Sequence, residues 1–152
     1  MYNCPRAVWF VMPFDGTIIT ARTGLGTDGT SDAYDIIFCD RGTDGLPDES
    51  TIYGTLNHPG GASAPGWEDV DVSSLDVELT SGDEFYYVFK PANGSTPSMV
   101  RDVSGDPSHN AWFSSGTWKT SSLPPYHMRV VVEDDSGSRV ELSSWGEVKT
   151  LD

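Results

Sequence analysis

Apolar and polar residues alternate with period two along most of the chain. No segment keeps apolar residues at i, i+3, i+4 and i+7 for three turns without glycine or proline. Val8, Phe10 and Met12 fall on one side of a predicted first strand, with Trp9 and Val11 on the other. Pro13 and the FDG stretch then turn the chain. Further strands are predicted over 17–22, over 33–39 with Tyr34, Ile36 and Phe38 on one face, and over 50–56. A Gly- and Pro-rich loop occupies 57–66. Residues 67–80 alternate, with Leu75, Val77 and Leu79 inward and Asp76 and Glu78 outward. Residues 84–90, EFYYVFK, are the most apolar and are expected at the centre of a sheet. Residues 110–120 read as a hairpin around Gly116, and 126–134 with 138–144 flank a DSG turn. This spacing predicts an all-β, jelly-roll-like antiparallel β-sandwich of about eight to ten short strands. The sandwich is expected over 1–144, with 145–152 a C-terminal tail or linker.

At 152 residues the chain is one domain's worth, and its 17 aromatic side chains are enough to fill a two-layer core. Charge changes the picture more. Asp and Glu total 23 against 9 Lys and Arg, for a net charge of −14, and Asp outnumbers Glu 16 to 7. Such a surface repels nucleic acid phosphates and anionic membranes, so neither nucleic acid nor membrane insertion is expected. It suits an extracellular or cell-surface setting, bound cations, or simple solubility. No apolar run approaches 18 residues, and no leader is visible. Cys4 and Cys39 would be able to form a disulfide if the first strand ran beside the strand carrying Cys39; two free thiols are the alternative.

The order of elements resembles a known group of domains. The early strand AVWFVMP is followed by DGLPDES, then by GWEDVDVSSLDVELTSGDEFYYVFKP, a Trp-containing hairpin and an Arg-Val-Val-Val strand. Residues 7–133 are similar in layout to the jelly-roll β-sandwich accessory domains of secreted bacterial multidomain proteins, found beside peptidases, glycosidases or C-terminal sorting tails. The resemblance implies an appended extracellular module with adjacent domains in the same chain. It names no ligand. Those domains often carry one more strand before the first seen here, so the chain is expected either to be a piece of a longer secreted protein or to have that strand supplied from elsewhere.

Candidate chemistry lies mostly in loops. The tetrapeptide GTDG occurs at 26–29 and again at 42–45. A phosphate loop would need a following helix and a lysine, and GLGTDG has neither. Calcium wants six to eight hard oxygens, which Asp28, Thr30 and Asp32, or Asp40, Asp44 and Asp48, would be able to supply. In the second set Gly45 stands at the sixth place of an EF-hand loop, but Thr51 replaces the bidentate Glu and Gly42 replaces a ligand. Ordinary turn chemistry explains the same residues. About seven strand residues at roughly 3.3 Å each put the two copies about 20 Å apart, so they are expected to cap opposite ends of one strand.

The three histidines lack zinc spacing, and no nucleophile elbow or marked carboxylate pair appears, so an enzyme is not expected. The aromatics are the better lead. Sugar-binding sandwiches stack pyranose rings on exposed Trp and hydrogen-bond the hydroxyls with Asp, Asn and Arg. Trp112 and Trp118, with Asn110, Asp106 and Arg101, are the candidate carbohydrate-binding residues. The expectation is a non-catalytic extracellular accessory module that adheres through polysaccharide or another cell-surface component and is stabilised by calcium. A self-assembling surface or filament subunit is the alternative, and a hydrolase a distant third.

Overall fold

The computed structural model describes residues 4–25, 33–60, 66–91, 101, 106–143 and 148–151. Among them run twelve strands: β1 (Arg6–Val11), β2 (Gly16–Leu25), β3 (Tyr34–Arg41), β4 (Pro47–His58), β5 (Gly66–Asp71), β6 (Glu78–Leu79), β7 (Glu84–Pro91), β8 (Asn110–Ser114), β9 (Thr117–Thr120), β10 (Met128–Asp134), β11 (Arg139–Ser143) and β12 (Val148–Leu151). They make two antiparallel six-stranded sheets. One has the order β4-β3-β7-β1-β8-β9. The other has the order β12-β11-β10-β2-β5, with β6 also pairing on β2. The chain is thus the all-β sandwich that its alternation predicts. No helix among the described residues is long and apolar enough to cross a membrane.

Alternation sets the register, because a one-residue slip would turn every core side chain to solvent. Val8, Phe10 and Met12 of the first strand meet Tyr34, Ile36 and Phe38 of β3 and Phe85, Tyr87 and Phe89 of β7 in the core between the sheets. Ile18, Met128, Val130 and Val132 close it from the other sheet. EFYYVFK is central as expected, paired with β1 on one side and β3 on the other. Its opposite face is covered too. Tyr86 and Val88 join Ala7, Ile37, Cys39 and Ala111 in a second apolar layer on the outside of the first sheet, flanked by Trp9, Leu46 and Trp118.

Two elements differ from the sequence reading. The stretch 67–80 is not one strand: β5 and β6 both lie along β2, but a 3₁₀ turn at Ser73–Leu75 separates them. Asp71 captures the Ser73 N–H at 2.9 Å, and Asp76 adopts the left-handed conformation at φ 53°, so the chain cannot stay extended there. The segment 145–152 is not simply a tail, since Val148–Leu151 pairs with β11 as β12 and forms the edge of the second sheet. Backbone pairing along β11 outweighs its exposed, polar character.

Part of the excess of Asp over Glu has a structural cause. Asp-x-Ser recurs at 48–50, 71–73, 106–108 and 134–136, and each Asp carboxylate accepts the N–H of the Ser two residues on, at 2.9 Å. The shorter Asp side chain closes this local ring where Glu would overreach. For Asp48, Asp71 and Asp134 the serine hydroxyl is the largest influence holding the carboxyl below the ordinary aspartate range; for Asp106 it is the Ser108 N–H. A carboxyl depressed in the folded state stabilises it above its unfolded pKa, and that contribution is lost as pH falls through the folded value. Melting temperature should therefore hold steady near neutrality and drop below about pH 4. A pH series of thermal melts checks this, and a curve flat into strong acid would count against it.

The cysteines do not bridge. β7 lies between β1 and β3, so Tyr86 pairs with both Trp9 and Cys39, and the condition for a Cys4–Cys39 disulfide is not met. Both are free thiols. Burial above all, with nearby Glu49, Asp48 and Asp40, pushes the Cys39 thiol up to about 12. Iodoacetamide at neutral pH should leave Cys39 unmodified in the native protein and label it once denaturant is added. Mass spectrometry of the Cys39 peptide reads the result.

Candidate functional site

The hairpin β8–β9 turns on Ser115 and Gly116, at φ 54° and 81°, a two-residue loop of the kind that matches strand twist. That loop fixes the register: Ser114 faces Thr117, Phe113 faces Trp118, Trp112 faces Lys119. On its other side β8 pairs with β1, placing Trp112 opposite Arg6 and Asn110 opposite Val8. Arg6, Asn110, Trp112 and Lys119 therefore share the face that further along β1 carries the core residues Val8 and Phe10. At this edge of the sheet the face turns polar and emerges to solvent.

The group is continuous. The Lys119 Nζ stands 5.8 Å from the Trp112 ring centre. The Arg6 guanidinium stands 4.9 Å from the Tyr126 ring, and the Arg101 guanidinium 4.1 Å from the same ring. Arg101 pairs with Tyr126 through an isolated bridge and donates from Nη1 to the Pro124 carbonyl at 2.6 Å and from Nη2 to the Tyr126 hydroxyl at 2.5 Å. Asn110 is 1% exposed and Trp112 is 37% exposed, so the site has a buried polar floor and an aromatic rim. Two polar atoms in it are buried without a hydrogen-bond partner among the described residues, Arg6 Nη1 and Asn110 Oδ1. Such atoms each cost about 1–3 kcal/mol, and here they are a donor and an acceptor.

Of the five residues that the sequence suggested for sugar binding, Trp112, Asn110 and Arg101 converge here. Trp118 and Asp106 do not. Trp118 points to the opposite face of the sheet, edge-on to Phe113, with its Nε1 donating to Glu49 at 3.3 Å. Asp106 caps the 3₁₀ turn Pro107–His109. Arg6 and Tyr126 complete the group. Sequence reasoning missed both: Arg6 lies on β1, over a hundred positions from β8, and Tyr126 joins the group only through its bridge to Arg101. The parity of Trp112 and Trp118, however, was readable from a two-residue turn at 115–116.

Of the expected calcium ligands, Asp40, Asp44 and Asp48 each accept a hydrogen bond from a neighbouring residue. Asp28, Thr30 and Asp32 lie outside the described residues. Asp44 accepts the Leu46 N–H at 3.0 Å, Asp48 accepts from Ser50, and Asp40 accepts the Tyr53 hydroxyl at 3.1 Å. No three His, Cys, Asp or Glu side chains among the described residues are grouped to hold a metal. The second GTDG forms the β3–β4 hairpin, with Gly45 at φ 81° and its carbonyl accepting the Tyr86 hydroxyl at 2.6 Å. It is a turn tied to the outer layer of the sheet; the first copy lies outside the described residues.

No protein family, curated protein or solved structure matches the chain. The site therefore stands on its own geometry, and two other polar clusters are the relevant contrast. On the outer face of the second sheet, Glu141 accepts from Arg22 Nη1 and, at 2.8 Å, from Arg129 Nη1, while Arg22 Nε also donates to Asp69 at 2.6 Å. Trp67, across from Gly24, lies parallel to His127 at 5.4 Å, with the Arg129 guanidinium 4.3 Å from its ring. That cluster is charge-balanced and braces β5, β2, β10 and β11. Between the sheets, Tyr34 donates to Glu68, with His58 Nδ1 3.5 Å from the same carboxylate. His58 Nδ1 also accepts the Gly60 N–H at 3.0 Å, which anchors the start of the following loop.

Proposed function

We propose that this chain is a non-catalytic binding module of a secreted or cell-surface protein, and that it takes carbohydrate on the patch formed by Trp112, Arg6, Asn110, Arg101 and Tyr126. The carrying observation is Trp112 itself, an exposed indole on β8, next to the edge strand β9, whose cross-strand neighbours Arg6 and Lys119 are hydrogen-bonding side chains. A sugar ring meets such a surface with its C–H face on the indole and its hydroxyls on the polar groups around it. The strongly acidic composition supports an extracellular setting by favouring solubility in salt.

A glycan array followed by affinity electrophoresis on the responding polysaccharides tests the proposal. Trp112→Ala should weaken binding about tenfold or more, the scale of a lost aromatic anchor. Trp118→Ala, on the opposite face, should leave it unchanged. Equal effects of the two substitutions would move the site elsewhere.

Self-assembly through edge strands is the second reading, and β4 favours it. This edge strand is twelve residues long and exposes Ile52 at 47%, and long open edges invite pairing with another chain. Sedimentation across concentration and salt decides: a strict monomer throughout removes this alternative.

A further inference from the structure

Resting on the carbohydrate proposal, we infer that the preferred ligand is an acidic sugar, a ring bearing a single carboxylate. The chain has six arginines. Arg22, Arg41, Arg129 and Arg139 each pair with a carboxylate. The two that meet no carboxylate among the described residues are Arg6 and Arg101, and both approach the Tyr126 ring. Lys119, beside Trp112, adds a third cation. In a chain of net charge −14 with 23 acidic residues, three cations grouped with no paired carboxylate among the described residues are the opposite of what composition would scatter there.

The hydrogen-bonding inventory fits the same ligand. A guanidinium has five N–H donors. Arg101 directs Nη1 and Nη2 to Pro124 and Tyr126, which leaves others for an anion. Arginine suits carboxylate because its parallel N–H groups match the two oxygens. The buried Arg6 Nη1 and Asn110 Oδ1 lack partners among the described residues, a donor and an acceptor in the polar floor beneath the patch. Trp112 supplies the surface for the ring. A polyanion is disfavoured by the rest of the protein, whose negative charge acts over a screening length of about 8 Å at physiological salt. One isolated acid group is within the local field and largely outside the global one.

Methyl β-glucuronide, methyl β-glucoside and methyl β-glucoside 6-sulfate, titrated into the intact protein by calorimetry, test this. The glucuronide should bind about tenfold more tightly than the glucoside, a ratio worth about 1.4 kcal/mol. The advantage should shrink as salt rises and disappear in Arg101→Met, with Arg101→Lys retaining part of it. The main comparison is between ligands on unaltered protein, so it does not depend on how the variants fold. Equal binding of glucuronide and glucoside overturns the acidic-sugar inference and leaves carbohydrate binding intact. Tighter binding of the sulfate overturns the carboxylate assignment. If none of the glycosides binds while the array finds a neutral glycan, the inference again fails alone; if the array also finds nothing, the carbohydrate proposal fails with it.

Discussion

Phe85→Ala should destabilise the protein by about 3–5 kcal/mol. Phe85 sits on the central strand β7 with no exposed surface. Its ring packs on Phe10 at 5.7 Å and on Phe38 at 6.4 Å, joining the adjacent strands β1, β7 and β3 along the core face of the first sheet. Deleting it removes the transfer energy of a buried aromatic and leaves a cavity that a stiff sheet cannot collapse into. At about 2–4 °C per kcal/mol for a chain of this size, the melting temperature should fall by roughly 10 °C. Phe113→Ala is the control. Phe113 is half-buried near the sheet edge, and its loss should cost clearly less. Urea titrations of both variants check the ranking; a similar cost for the two would mean the core is not centred on β7.

Glu141→Ala should be the most damaging charge change, at about 2–3 kcal/mol. The Glu141 side chain is 5% exposed and accepts from two guanidiniums, Arg22 and Arg129, whose side chains are 25% and 22% exposed. Removing it leaves both arginines without their shared carboxylate. Water reaches them in part, which keeps the cost below that of a fully buried pair. Glu141→Gln keeps the shape and removes the charge, so it should fall between the wild type and Ala. Because Glu141 is shielded, the deficit should persist at high salt, where exposed pairs lose their effect. The exposed pair between Arg139 and Glu133 supplies the comparison: Glu133→Ala should cost well under 1 kcal/mol. A Glu141 deficit that vanishes at high salt would show the cluster to be a surface feature only.

Much of the fold was legible because it depends on period-two patterning. Val8, Phe10 and Met12, and Phe85, Tyr87 and Phe89, face the core that their alternation predicts. The centrality of β7 was legible for a related reason: a strand apolar on both faces needs cover on both, and the outer layer around Tyr86 and Val88 provides it. The break between β5 and β6 was harder to see. The alternation of Val77 and Leu79 continues across it, and only the Asp71-x-Ser73 turn and a left-handed Asp76 reveal it. β12 was hidden because Val148–Leu151 carries no buried face of its own and is defined by pairing with β11.

The candidate site was half legible. Trp112, Asn110 and Arg101 are near one another in sequence and were found by residue type. Arg6 enters through the pairing of β1 with β8, and Tyr126 through a bridge to Arg101, both long-range facts of topology. Trp67 shows the converse limit. By exposure alone, at 36%, it equals Trp112 as a ligand platform. What separates them is company, since Trp67 stands among arginines already matched by Glu141 and Asp69.

That distinction is the centre of the account, and indole N–H signals in an ¹⁵N NMR titration with a binding glycan read it directly. The chain has five tryptophans. The Trp112 indole should shift progressively and saturate, while those of Trp67 and Trp118 stay where they are. A saturating shift at Trp67 with Trp112 unmoved would place the ligand on the other sheet and contradict the site proposed here.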